Sequence, residues 1–188
     1  MISFIKRNKL FSFLLFFTLI SILLGIFFYY FIPSSFKTDI SHNIYHLFSA
    51  REPFFSKYFL RYGLSFLLVW LFGFSIIGFI FVILFYFYQI FLFSFEVCSM
   101  ISILGISKIF YILLYFLPNI FLLVLFFLLC FYSISFSSYL FRFLFFRRQY
   151  SFQTIMIRYS KIFFFSILSF ILMNILHMIL ISYLSNIF

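Results

Sequence analysis

The chain has 188 residues, 67% of them hydrophobic and 29% aromatic, with 9% charged and a mean hydropathy of +1.27. A soluble domain carries about a quarter charged residues, and a chain this short has too much surface for its volume to hide the apolar excess, so a water-soluble fold is excluded and lipid must cover the remainder. The formal charge of +10 does not point to nucleic acid, because the basic residues cluster at the edges of apolar runs, where they anchor helices and face anionic headgroups.

The expectation is an all-α membrane protein, a polytopic bundle of about five transmembrane helices with a cytoplasmic N-terminus, forming one integral membrane domain over residues 1–188. A crossing helix needs about 20 apolar residues. The first stretch of that length, residues 10–32, follows Lys6, Arg7 and Lys9 and stops at Pro33-Ser34-Ser35. A basic start with small residues behind it has the outline of a signal peptide, but this run is too long and aromatic for an h-region, so it is expected to stay as the first span.

Residues 33–62 form the sizeable polar segment, expected outside the cytoplasm. His42 and His46 stand four apart, the spacing of a metal pair on a helix, yet no third spaced ligand accompanies them. The preferred reading is an interfacial helix, Ile40 to Ala50, with Ile44, Leu47 and Phe48 on the membrane surface.

Leu64 to Leu104 holds 41 residues with only Glu96 charged. As one straight helix it would be about 60 Å long, twice the hydrocarbon thickness, so it must be two spans, 64–78 and 80–104. The reversal is expected near Gly78, where the missing Cβ permits a tight turn, and a close helix contact is expected at Gly73. Gly63 precedes them, so three of the five glycines punctuate this one stretch. Gly105-Ile106-Ser107-Lys108 closes the following helix. The next span, 112–141, carries Pro118 near its start, so that helix either begins at Leu117-Pro118 or kinks over its first turn. A basic loop, 142–161, leads to the last span, 162–184.

Charge supports the division into five. With the N-terminus inside, Lys6, Arg7, Lys9, Arg142, Arg147, Arg148, Arg158 and Lys161 are cytoplasmic, eight against the five outside (Lys37, Arg51, Lys57, Arg61 and Lys108). Four spans would expel the strongly basic segment 142–161, against the positive-inside bias. The last residues, Asn186-Ile187-Phe188, then face out.

Forty phenylalanines read as lipid-facing bulk, since the bilayer asks only for apolarity there. Cys98 and Cys130 lie inside apolar runs without a CxxC or a neighbouring His, so neither a disulfide framework nor zinc is expected. Polar groups within spans are more informative, because they are expensive in lipid. Glu96 needs a partner or a proton, with Gln89, Ser94, Ser99 and Asn174 as hydrogen-bonding candidates. His177 shares a face with Asn174 and either pairs with Glu96 or hydrogen-bonds inside the bundle. A structural role is favoured over proton or cation transport for both. No paired carboxylates, Ser-His-Asp set or phosphate loop occurs, so no catalytic residues, no metal ligands and no cofactor are expected, and the protein is read as a non-enzyme.

The run Trp70-Leu71-Phe72-Gly73-Phe74-Ser75-Ile76-Ile77-Gly78, followed by Phe95, Gly105 and Leu117-Pro118-Asn119, resembles the stage II sporulation protein M family. In that family the second span reads roughly W-x-x-G-x-S-x-x-G, a glycine follows the third span, and an L-P or M-P pair opens the fourth. The resemblance covers residues 10–138. Where family members carry glycines, this chain has Ser94 and Cys98, four apart and still small enough for a close-packed stripe; Ile80 and Gln89-Ile90 replace a proline and a Lys-Gly pair.

The resemblance implies a membrane scaffold in the bacterial cytoplasmic membrane, specifically the septal or mother-cell membrane, that holds extracytoplasmic peptidoglycan-degrading membrane proteins during forespore engulfment. Its partners would be the lipid bilayer and those proteins. The rival reading is a small permease component or ion-coupled transporter using Glu96, and a third is a general envelope role in a non-sporulating lineage.

Overall fold

The computed structural model describes residues 9–49, 54–146 and 152–185, with side chains described at all of these except 43–61, 146, 152 and 181–185. Among the described residues six helices follow in order: α1 Lys9–Phe31, α2 Ser34–Ser49, α3 Phe54–Gly73, α4 Gly78–Leu104, α5 Ile109–Phe146 and α6 Phe152–Ser185. A 3-10 turn, Ile106–Lys108, joins α4 to α5. Only a helix satisfies every backbone amide within its own segment when water is absent, and these apolar runs hold few residues that oppose it.

Four helices, α1, α4, α5 and α6, are long and apolar enough to cross a membrane, so the protein is an all-α, multi-pass membrane protein. The apolar part of α3, Tyr62–Gly73, is about 18 Å long. It is wedged among α4, α5 and α6, while α1 packs chiefly on α4. Ring contacts fix the directions. Phe66 meets Phe170 and Trp70 meets Phe163, so α3 runs antiparallel to α6. Thr18 hydrogen-bonds Tyr86 and Phe28 meets Phe95, so α1 and α4 run parallel. One end of the bundle therefore gathers the start of α1, the α3–α4 turn and the adjoining ends of α5 and α6. The opposite end gathers the α1–α2 junction and the turn at Gly105.

The main core draws Leu14, Phe66, Val69, Val82, Tyr86, Phe126, Leu129 and Phe163 from five helices. A second cluster, Met100, Ile112, Tyr115 and Phe116, sits toward the 3-10 turn. The outward faces stay apolar, with Phe16, Leu23, Phe164 and Leu172 all exposed. Alpha-helix α1 shows the division most plainly: Leu14, Ser21, Gly25 and Tyr29 are buried at intervals of seven and four, one stripe of a helix whose other faces meet lipid.

Several bounds differ from the sequence expectation. The second span was expected over 64–78, but α3 runs from Phe54 to Gly73 and Gly78 already opens α4. Much of the polar segment 33–62 is helical, as α2 and the first turns of α3; Pro33 stands just ahead of α2, where a missing amide costs nothing. The interfacial helix expected from Ile40 to Ala50 falls within α2, with the side chains of Ile44, Leu47 and Phe48 outside the described set and Ala50 outside the described residues. The supposed loop 142–161 is also largely helix, because α5 continues to Phe146 and α6 begins at Phe152; no Gly or Pro interrupts those flanks. Pro118 neither starts nor ends a helix. Alpha-helix α5 begins at Ile109 and passes through it, since one lost amide bond is cheaper in lipid than an unravelled backbone.

Candidate functional site

The end of α3 is the most elaborately built place in the bundle. A helix terminus leaves carbonyls without intrahelical partners, and inside a bundle each must be answered by another group. Backbone turns supply part of the answer, through Phe74 N–H to Leu71 O and Ser75 N–H to Phe72 O, both 3.0 Å. Hydroxyls from two other helices supply the rest. Ser133 of α5 donates to the Val69 carbonyl at 2.7 Å, and Tyr159 of α6 donates to the Trp70 carbonyl at 2.8 Å. The two hydroxyl oxygens lie 3.0 Å apart. One turn along α5, Ser137 donates to the Ser75 carbonyl at 2.6 Å, with the Ile76 carbonyl at 3.3 Å.

Two glycines make room for this arrangement. A Cβ at Gly73 would overlap the Tyr159 hydroxyl and approach Ser133 Oγ to 2.6 Å. A Cβ at Gly78 would overlap the carbonyl of Phe72, so the chain can reverse this tightly only without one. Trp70 walls the site, stacked on Phe163 at 4.4 Å between ring centroids and meeting Phe74 edge-on at 4.9 Å. Tyr159 is held in turn by Phe136, stacked at 4.6 Å. Trp70, Gly73, Ser75 and Gly78, singled out in the sequence, thus belong to one structure, Ser75 through its carbonyl rather than its hydroxyl.

A second group of polar side chains lies deeper. Gln89, only 2% exposed, donates from Nε2 to Ser65 Oγ at 2.6 Å, joining α4 to α3. Between α5 and α6, Tyr115 meets His177 with centroids 5.0 Å apart, while Leu122 shares a cluster with Phe170. These two pairs bracket Asn119 and Asn174, which therefore occupy one level, both buried. Asn174 spends its Nδ2 on the Phe170 carbonyl at 2.8 Å. Asn119 Nδ2 and Gln89 Oε1 have no hydrogen-bond partner among the described residues, the kind of buried polar group that lipid makes costly.

Glu96 is half-buried, two turns beyond Gln89 on the same face of α4, and its backbone carbonyl accepts from Ser99 Oγ at 2.8 Å. Glu96 stands on α4 and His177 on α6, where the Tyr115 ring lies against the imidazole. Ser94 lies at the α1–α4 crossing, where a Cβ on Gly25 would overlap its Oγ. Cys98, half-buried and a free thiol, follows one turn later. Gly105 closes α4 alone, at φ 81°, with its N–H on the Ile101 carbonyl at 3.1 Å. Among the described residues no three His, Cys, Asp or Glu side chains converge to hold a metal ion.

Sequence reasoning missed Gly25, Ser133, Ser137 and Tyr159. Ser21-x-x-x-Gly25 and Ser133-x-x-x-Ser137 are small residues four apart, the spacing of close helix contacts, and could have been read. The role of Tyr159 could not, since its partners stand 89 and 26 residues away in the chain. Compared with protein-family models, curated proteins and solved structures, the chain matches none. The site is therefore read from its own geometry and from the motif residues.

Proposed function

We propose that this protein is a membrane scaffold of the kind found in the stage II sporulation protein M family, a rigid bundle that holds extracytoplasmic peptidoglycan-degrading partners at the septal membrane during engulfment rather than an enzyme. The observation that carries this reading is the motif run Trp70 to Gly78, with Gly105 and Leu117-Pro118-Asn119 behind it. The packing of these residues supports it. Gly73 and Gly78 stand at the reversal, Gly105 at the closing turn, and Pro118 and Asn119 on a buried face of α5, where they help give the bundle one fixed shape, as a scaffold requires. The hydroxyls around the reversal are spent on helix carbonyls.

The test is affinity capture of the tagged, detergent-solubilised protein from sporulating cells of its source, with mass spectrometry of what accompanies it. Peptidoglycan hydrolases are the expected companions, and normal engulfment after deletion of the gene would sink the proposal. The buried level of Asn119, Asn174 and His177 favours one rival, an ion-coupled transporter that also uses Glu96. It requires proton flux in liposomes that Glu96→Gln abolishes, whereas the scaffold reading expects no such flux and normal partner capture by that variant.

A further inference from the structure

We propose that the groove beside the α3–α4 turn is a binding site for an anionic phospholipid, its phosphate on Arg142 and one acyl chain along the apolar walls. The groove encloses about 570 Å³ and is lined by Ile76, Ile77, Ile80, Ser138, Phe141 and Arg142, among others. That volume lies within the ~300–1,000 Å³ typical of pockets that bury a small amphipathic ligand. Its walls are strongly apolar and open outward: Ile77 is 63% exposed and Ile80 47%. In a multi-pass membrane protein such a face meets acyl chains. Ser138 and Arg142 stand four apart on α5 and so rise one above the other on a single face, setting a hydroxyl and a guanidinium at one rim.

Charge complementarity selects the headgroup. The end of the bundle that holds the groove carries Lys9, Arg142, Arg158 and Lys161. The described carboxylates, Asp39 and Glu96, belong to α2 and to the far half of α4, so no described acid at this end competes for Arg142. The first turn of α4 also borders the groove, and its N-cap residue, Ile77, provides no side-chain cap. A helix N-terminus adds partial positive charge to a rim that Arg142 already makes cationic. A guanidinium pairs with phosphate oxygens in a bidentate fork, which a zwitterionic headgroup offers less favourably because its own cation competes.

The full-length protein, reconstituted in nanodiscs of phosphatidylcholine with increasing phosphatidylglycerol, would be followed by thermal unfolding and by native mass spectrometry of retained lipid. Phosphatidylglycerol is expected to raise the melting temperature and to be retained over phosphatidylcholine. Arg142→Gln is expected to weaken retention about tenfold or more, the loss of a charge-assisted guanidinium–phosphate pair, and Ile80→Trp, which fills the trough and keeps every charge, is expected to weaken it as well. Arg158→Gln, at the same end but outside the groove, is expected to change it clearly less, by no more than about fivefold, the effect of one basic side chain at an anionic surface. Equal losses in Arg142→Gln and Arg158→Gln would mean diffuse surface attraction and overturn the site, as would undiminished retention in Ile80→Trp. An equal thermal shift with inorganic phosphate in phosphatidylcholine alone would also overturn it, since the acyl chain would then contribute nothing.

Discussion

Whether a glycine in this bundle can become alanine depends on what the new methyl would strike. At Gly63 it would meet the Phe170 ring at 3.4 Å, an ordinary contact, and alanine is the better helix former by up to about 1 kcal/mol. At Gly73 it would strike the Tyr159 hydroxyl and Ser133 Oγ. Ser133 can rotate, but Tyr159 is fixed by its stack on Phe136, so overpacking of about 1–3 kcal/mol is expected. At Gly78 the obstacle is the backbone carbonyl of Phe72, which can move only if the turn opens. Thermal unfolding in detergent should therefore rank Gly63→Ala at or above the parent, Gly73→Ala below it, and Gly78→Ala lowest or unfolded. A Gly78→Ala protein as stable as the parent would show that the reversal is not this tight. Gly73 and Gly78 were legible in the sequence because a long uncharged stretch had to break somewhere near them. Gly63 reads alike on paper yet serves no turn, and Gly25 passed unnoticed, because the atoms that decide both cases lie on other helices.

The end of α3 is a property of three helices rather than one, and its energetics should show it. Ser133 and Tyr159 each cap a carbonyl and touch each other at 3.0 Å, so removing one hydroxyl disturbs the other's partner. Ser137 caps the turn from one helical turn away and touches neither. Inter-helix hydrogen bonds in membranes average about 0.6 kcal/mol with a maximum near 1.7, and residues sharing a network couple while separate ones add. Ser133→Ala and Tyr159→Phe should each lower stability by about 1 kcal/mol, with the double variant departing measurably from the sum of the two. Ser137→Ala combined with Tyr159→Phe should add within about 0.5 kcal/mol. An additive first cycle would mean the two hydroxyls cap independently. Four of the five expected spans, and their approximate placement, followed from apolar length, since the bilayer sets that ruler; the expected span 64–78 did not, because the apolar part of α3 covers only Tyr62–Gly73. The true helix ends did not, because α5 and α6 continue past the apolar runs into basic flanks that no Gly or Pro interrupts, and α5 runs through Pro118, itself buried.

At the scale of the whole molecule, the two ends of the bundle differ in charge, and that difference predicts how it lies in the membrane. The end with the α3–α4 turn carries Lys9, Arg142, Arg158 and Lys161, and in the sequence Lys6, Arg7, Arg147 and Arg148 adjoin those helix termini; the other end has Lys37 and Lys108 with Asp39, and the sequence there adds Arg51, Lys57 and Arg61 with Glu52, so eight cations and no acid stand against five cations and two acids. Cations near span ends are retained on the cytoplasmic side, and a membrane potential negative inside adds about 2.3 kcal/mol per charge per 100 mV moved fully across. The turn end should therefore be cytoplasmic and Gly105–Lys108 external, which also places Arg142 against the leaflet richest in anionic lipid. Ser75 and Ser107 are exposed at opposite ends and offer a direct test once Cys98 and Cys130 are replaced by serine. In intact cells a membrane-impermeant maleimide should label Ser107→Cys at once and Ser75→Cys only after permeabilisation. Neutralising Arg142, Arg147, Arg148 and Arg158 together removes half of the eight cations that set the bias, and should let part of the population label at Ser75→Cys without permeabilisation. Labelling of Ser75→Cys in the otherwise unaltered protein would invert the orientation. It would also place the turn end, with its cations, in the outer leaflet, against the retention that the charge asymmetry requires.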